Sequence, residues 1–587
     1  MAADGTHAAS ATPGAIEADR WPAWSRSDVP FLLVLFAAGL LLLYLGRSLT
    51  FFQDEWGFVS RFSDGVDVAD VIRPWNEHWT TLPALLYAAT FQAIGLHSYL
   101  PYLVELIALH LLVVLGVYAL ARRRTGRLAA ALLSLPLLLV GSGSENLFWA
   151  FQMAFVGSAM FGTWALVFVE QRGRRSAVLA SLALTAGLMC SGIGLVFLVA
   201  MAGRTVLDSH RRRRAGVLVL PVVTYLTWFA LVGREGLAGR RELAQIVDIA
   251  SFAVRGIGHA VGSFSGLSLV PGGGVIGVLL LLAALAGAGW LIVIRREPVA
   301  LAFGSLAAIV AMYVLIGSVR AEAASDLATR GRYVYVAAVF ITIAVSDLAA
   351  RIRLPDRAVR WRTLAIVGAG LVVALALVVN LTALAAERNV MQREADRTRA
   401  YVSLAIDRGD EPWVDPATVL RGMPPLPELV ALIDRSGSPL RDRIVPSVAR
   451  QPRASAREWA LIRMVGDGFR TEAASRGGTP IGLPFEVSDA VAEPDGQCLR
   501  VSEAGPRAVL RLTPPAGTRI SVASAEPVDG RAVIGRDRTP SRFIPLRVGA
   551  SAPRDVVVPD TGDGGTWRVW LRIGGAQAPI DVCGRQP

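Results

Sequence analysis

The chain has 587 residues, a mean hydropathy of +0.48, and 53% hydrophobic against 18% charged residues. One water-soluble core cannot absorb that share of apolar side chain, which excludes a wholly soluble protein and makes lipid part of the solvent. The formal net charge of +12 excludes less than it suggests, because all 59 basic residues are Arg. These arginines flank apolar runs as topology signals do and form no aromatic-interleaved stripe, so nucleic-acid binding is not expected. The absence of Lys also removes the lysine of a P-loop, and with it an ATP-driven pump.

In chain order, residues 1–28 read as a disordered cytoplasmic tail without a signal peptide, leading into a retained first span. A span needs roughly 20 apolar residues. Within a transmembrane domain over 29–384 the candidates are Pro30–Leu49, Leu100–Ala121, Leu128–Val140, Phe151–Val169, Ala177–Cys190, Ile193–Val206 and Ala215–Val232. They continue with Val275–Ile294, Val299–Gly317, Tyr333–Leu348 and Leu364–Leu384, about eleven in all. The stretch Leu82–Leu96 is ambiguous, and charge decides it. If it lies flat in the interface, the arginine groups Arg122–Arg127, Arg172–Arg175, Arg211–Arg214, Arg295–Arg296 and Arg351–Arg362 share one side. That arrangement predicts a multi-pass plasma-membrane protein with a cytoplasmic N-terminus and an extracytoplasmic C-terminal region.

The first external loop, 51–99, opens with Phe51-Phe52-Gln53-Asp54-Glu55-Trp56 and continues through Trp75-Asn76-Glu77-His78-Trp79. Carboxylates at a membrane surface are costly to desolvate and mark candidate functional sites, although acids are also ordinary helix flanks there. Glu145, Asn146, Trp149 and Gln152 sit before the fourth span, as pocket lining or as caps and interface anchors. The loop Gly233–Leu269, with Arg234, Glu235, Arg240, Arg241, Glu242 and His259, reads as an amphipathic cover or as a solvated face. Arg330-Gly331-Arg332-Tyr333 opens the tenth span, with residue types that serve as interfacial anchors.

After the last span, residues 385–478 read as a helical and irregular external linker with a Pro-rich break at Met423–Pro427. Residues 479–587 carry short β-rich runs at sandwich-like spacing. In Thr566–Ile573, Trp567, Val569, Leu571 and Ile573 share one face and should pack the core, leaving Trp570 on the other. An outward Trp can stack on a sugar, so the domain is either carbohydrate-binding or a structural cap. Cys498 and Cys583 bracket this region, where an outside location permits a disulfide and buried free thiols are the alternative.

The acidic pair and its loop resemble the GT-C membrane glycosyltransferases, including aminoarabinose transferases, protein O-mannosyltransferases and actinobacterial cell-wall transferases. In that family an Asp-Glu or Asp-Asp pair follows the first span, and a His-Pro-Pro-Leu or Pro-Pro-Leu-Tyr element later opens an interfacial helix. Asp54 and Glu55 match the pair; His78 and Pro83-Ala84-Leu85-Leu86-Tyr87 match the later element, without the double proline. Arg330-Gly331-Arg332-Tyr333 is similar to Arg-Tyr openings of late helices that lie near the lipid phosphate.

The resemblance implies transfer of a sugar from a polyprenyl-phosphate donor to a cell-envelope glycan or lipid acceptor, with inversion. Asp54 would be the general base, and Glu55 would position the acceptor or share a divalent metal ion if one is used. Glu77 and His78 are reserves for the acid–base role or pocket lining, with Glu145 and Gln152. Arg330, Arg332 and Tyr333 would receive the donor phosphate. A transporter or flippase for lipid-linked saccharides is the rival, though no paired charges stand near the span centres where coupling ions bind. A non-catalytic envelope-binding protein is the other, for which so many spans exceed what an anchor needs.

Overall fold

A computed structural model describes residues 24–587 except 172, 209–213, 238–244, 298, 322–324, 352–358, 421, 441, 443, 445–452, 466–467, 476, 537–538, 551 and 563–564, with backbone only at 359–362, 365–366 and 539–542. The chain divides into two compact units. The first holds the residues up to Leu49, Asp64–Ile94 and Tyr99–Gln392; the second holds Thr50–Ser63, Gly95–Ser98 and Arg393–Pro587. The boundary expected after residue 384 therefore moves to 392, and the acidic pair belongs to the second unit. The division at 392 falls within one uninterrupted helix, Val359–Arg408, which runs on past the apolar run.

The first unit is helical. Among the described residues seven helices are long and apolar enough to cross a membrane: Arg26–Gly46, Leu100–Thr125, Ala150–Val169, Gly273–Val293, Ala300–Arg320, Gly331–Ala349 and Val367–Arg408. The other four expected spans are shorter helices, Arg127–Leu138, Arg174–Leu188, Ile193–Val206 and Gly216–Leu231. At 1.5 Å per residue, the longest of these falls short of a bilayer core of about 30 Å. Thr81–Ile94, with 14 residues, falls short as well. Gly273–Val293 exposes Val275, Leu279, Leu280, Leu282, Trp290 and Val293, an apolar surface suited to lipid. Gly331–Ala349 is buried along most of its length.

One expected loop is a helix. Ile246–Phe264 packs on Gly273–Val293 through glycines: a Cβ on Gly258 would lie 2.4 Å from the Gly274 carbonyl oxygen, and one on Gly277 2.5 Å from that of Gly258. Arg234 and Glu235 stand in the 3-10 turn Gly233–Leu237, whereas Arg240, Arg241 and Glu242 lie outside the described residues. Of the expected tail, residues 1–23 lie outside the description, but Arg26–Asp28 form a 3-10 turn. Asp28 is buried there, 2.7 Å from Arg122 and accepting from the Tyr118 hydroxyl at 2.9 Å.

Several arginines expected as topology signals are tied into carboxylates. Glu170 holds both Arg204 and Arg124 at 2.7 Å, and Arg204 also reaches Asp208 at 3.0 Å. Burial alone would raise the Glu170 carboxyl, but Arg204, Arg124 and Arg123 hold it below the usual carboxylate range. Removing one member of a buried pair strands the other charge, at a cost of about 3–5 kcal/mol. Arg204→Leu is therefore expected to lower the melting temperature of the purified protein by several degrees. An unchanged melting curve would show that the pair carries no net stability.

The second unit ends in ten strands: β1 Arg470–Ala473, β2 Thr479–Ile481, β3 Phe485–Asp495, β4 Cys498–Leu512, β5 Arg519–Ser524, β6 Val528–Arg536, β7 Thr539–Val548, β8 Arg554–Val557, β9 Arg568–Arg572 and β10 Ile580–Gln586. All pairings are antiparallel, in the order β1-β8-β5-β10-β4-β9-β6-β7, with β2 beside β10 and β3 beside β4. The first half of β4 pairs with β10 and its second half with β9, so β4 serves as the corner of a sheet that folds on itself. β7 packs back against β1, β5 and β8. Strand structure begins at Arg470, ahead of the expected start at 479. Trp567, Val569, Leu571 and Ile573 are fully buried, and Cys498 faces Cys583 across β4 and β10 in a disulfide.

Candidate functional site

The site in the helical unit is assembled from two turns and two helix ends. Trp75–His78 forms a tight turn closed by reciprocal backbone bonds of 3.0 Å, Trp75 N to His78 O and His78 N to Trp75 O. Asn76 takes the left-handed φ of 53°, which Asn tolerates better than most residues. The turn presents Glu77, whose Oε1 accepts from Arg320 Nη2 at 2.6 Å. His78 stands 3.8 Å from the same carboxylate, with its ring edge-on to Phe155. Arg320 closes the helix Ala300–Arg320 and also donates to the Tyr333 hydroxyl at 3.3 Å.

Beside Tyr333 the helix Gly331–Ala349 begins, capped by Arg330 in extended backbone. Gly331 lies against the turn before Glu145: a Cβ there would meet the Ser142 carbonyl oxygen at 3.0 Å. Glu145 is thereby set between two cations, 3.9 Å from Arg330 Nη1 and 4.0 Å from Arg332 Nε. Asn146 donates to the Arg332 carbonyl at 3.1 Å. Asn380 holds the turn, accepting from Ser142 N at 3.2 Å and donating to Phe264 O at 3.2 Å.

Polar atoms in this neighbourhood lack protein hydrogen bonds. Glu145 Oε2, Asn146 Oδ1, Gln152 Oε1 and Arg332 Nε are buried without one. Buried orphans of this kind are rare unless a water or ligand completes them. Glu145 Oε2, Asn146 Oδ1 and Gln152 Oε1 are acceptors suited to hydroxyl donors, whereas the guanidinium groups of Arg330 and Arg332 beside Glu145 are donors suited to an anion.

The structure thus brings together Glu77, His78 and Tyr333, and beside them Glu145, Arg330 and Arg332. Gln152 is buried in the turn Ala150–Gln152. Arg320 and Asn380 were not anticipated. A lone Arg ending an apolar helix reads as an anchor, and a lone Asn within an apolar run gives no signal of the turn it holds.

In the second unit, Asp54 is the first residue of the helix Asp54–Phe62, half-buried, after Gln53 at the left-handed φ of 49°. Gly422 lies close over Gln53, where a Cβ would meet the carbonyl oxygen at 2.2 Å. Glu55 is fully buried, and its Oε2 accepts from Phe52 N at 2.6 Å, which makes it a cap for its own helix. Among the described residues no three His, Cys, Asp or Glu side chains gather as metal ligands.

No protein-family model matches the chain, and no curated protein matches it. Among solved structures it is similar to ArnT from Cupriavidus metallidurans bound to undecaprenyl phosphate, at 14% identity and a TM-score of 0.45 over 69% of this chain and 85% of that one. An Archaeoglobus fulgidus oligosaccharyltransferase gives 14% and 0.37 over 65% and 55%. The mycobacterial arabinofuranosyltransferase AftD gives 10% and 0.33 over 96% and 58%. The chain spans little more than half of the latter two proteins, and at these scores the likenesses assign no reaction.

Proposed function

We propose that the chain is a GT-C-type membrane glycosyltransferase that moves a sugar from a polyprenyl-phosphate donor to an envelope glycan or lipid. The observation that carries this reading is the pair of guanidinium groups, Arg330 and Arg332, at the start of a membrane helix, with the unsatisfied acceptors Glu145 Oε2 and Asn146 Oδ1 beside them. In the transfer, the acceptor oxygen bonds to the anomeric carbon as the carbon–oxygen bond to the phosphate breaks. The bonding electrons leave with the phosphate, and the acceptor proton passes to a base. In-line attack inverts the anomeric centre.

Arg330 and Arg332 take the charge that grows on the leaving phosphate, assisted by the helix N-terminus. Glu145, 3.9 Å from one guanidinium and 4.0 Å from the other, offsets their mutual repulsion without a close contact to either. Glu77 fixes Arg320, and through it the Tyr333 hydroxyl. Asn146 and Gln152 offer carbonyl oxygens to sugar hydroxyls. Asp54, the half-buried first residue of its helix, is assigned as the base on the resemblance of the Asp54-Glu55 pair alone; Glu55 accepts from the backbone N–H of Phe52 just before it.

Arg332→Gln keeps a donor but removes the charge. A charge-assisted hydrogen bond is worth roughly 2 kcal/mol, so kcat/KM for a polyprenyl-phosphate sugar should fall about 30-fold. Release of polyprenyl phosphate from the donor measures it, and wild-type turnover in the variant would remove Arg332 from the reaction.

A further inference from the structure

The outer face of the β region carries a row of side chains unrelated to the transfer chemistry. Strand register places Glu486, Arg511, Trp570, Val533 and Phe543 side by side across β3, β4, β9, β6 and β7. On β9, Arg568 and Arg572 flank Trp570 on the same face, about 7 Å away along the strand on either side. The buried alternates Val569 and Leu571 lock that orientation. The face is concave, and a groove of about 810 Å³ is lined by Trp570, Arg511, Arg568, Arg572, Glu486 and Ser488, among others.

Charge in the groove is uneven. Arg511 pairs with Glu486 at 3.2 Å, but Arg572 forms no ion pair among the described residues. It stands directly opposite Arg531, whose guanidinium lies 5.6 Å from the Phe543 ring centre and likewise forms no ion pair among the described residues. Like charges facing each other across a sheet destabilise it, and an anion between them would reverse the sign of that contribution. A half-buried Trp between guanidinium groups offers a flat apolar surface for a sugar ring and bidentate donors for acidic substituents on either side.

The geometry points to a binding site for an acidic polysaccharide, held by ring stacking on Trp570 and by carboxylate or phosphate contacts to Arg568, Arg572 and Arg511. The disulfide of the same domain belongs to an oxidising compartment, where envelope polymers and not nucleic acids are the available polyanions. Trp570 is half-buried and lines the groove. The site is separate from the one proposed for transfer and does not depend on that reaction.

The test uses the full chain in nanodiscs of neutral lipid, titrated with oligogalacturonate and with its carboxyl-reduced neutral counterpart. The acidic oligomer is expected to bind at least tenfold more tightly than the neutral one. Trp570→Ala should weaken it about tenfold, and the double variant Arg568→Gln/Arg572→Gln, whose side chains are exposed and outside the core, by tenfold or more. Arg332→Gln should leave it unchanged, which separates this site from the reaction centre. No binding by the wild type, equal affinity for the neutral oligomer, or binding that survives both variants would overturn the proposal. So would capture by phosphatidylglycerol vesicles, lost in the same variants, without capture of the oligosaccharide.

Discussion

Asp54→Asn is expected to lower the rate of sugar transfer by about a hundredfold or more while leaving the protein folded, because a positioned general base contributes roughly 10²–10⁴. The change is nearly isosteric and keeps an oxygen that can accept a hydrogen bond. It takes away the group proposed to remove the acceptor proton. Glu55 provides the contrast. Its carboxylate is buried on the backbone N–H of Phe52, so Glu55→Gln should act on the helix Asp54–Phe62 and on stability, with a smaller effect on turnover. A lesion in Glu55→Gln that equals that of Asp54→Asn, at unchanged thermal stability, would exchange the two assignments. Full activity in Asp54→Asn would eliminate it as the base.

The second large effect concerns stability. Cys498 and Cys583 are 85 residues apart in sequence yet face each other across β4 and β10. Cross-linking a loop of that length restricts the unfolded chain by about 4 to 5 kcal/mol in the chain-entropy account. The double variant Cys498→Ser/Cys583→Ser should therefore open the β region to proteolysis at temperatures the wild type resists. Reductant should reproduce the effect in the wild type and add nothing in the variant. Equal resistance with and without reductant would show that the sheet stands on its apolar packing alone, with Trp567, Leu510 and Ile534 at its centre.

What the sequence made legible follows from the solvent each element meets. Lipid demands long apolar runs, so helices such as Gly273–Val293 and Gly331–Ala349 are evident from composition. The alternation of Trp567, Val569, Leu571 and Ile573 is equally evident, because a one-residue slip would turn four large side chains outward. Ile246–Phe264 was hidden because glycines at 256, 258 and 262 interrupt its apolar face of Phe252, Ala253, Ile257, Ala260 and Val261, and Gly258 and Gly262 suggest a loop until the helix Gly273–Val293 approaches closely. β1, with the sequence Arg-Thr-Glu-Ala, is too short and polar to signal a strand and exists through its pairing with β8.

The candidate site divides along the same line. Glu77, His78, Arg330, Arg332 and Tyr333 stand out because charge beside an apolar run is expensive. That Glu77 would meet Arg320, 243 residues away, is a tertiary fact with no local signature. The same holds for Asn380, which fixes the turn carrying Glu145 from 238 residues beyond Ser142. The bond from Phe52 N to Glu55 is likewise invisible in sequence, where a carboxylate that caps its own helix and one that serves an acceptor look identical.

The central claim is that this protein breaks the bond between a sugar and a polyprenyl phosphate. Mass spectrometry of purified protein incubated with polyprenyl-phosphate sugar and acceptor, with NMR of the product for its anomeric configuration, tests it most directly. The account predicts polyprenyl phosphate and glycosylated acceptor in equal amounts, with the anomeric configuration inverted. Intact donor recovered on the opposite leaflet of a proteoliposome, with no cleavage across a panel of sugars, would contradict it and identify a carrier.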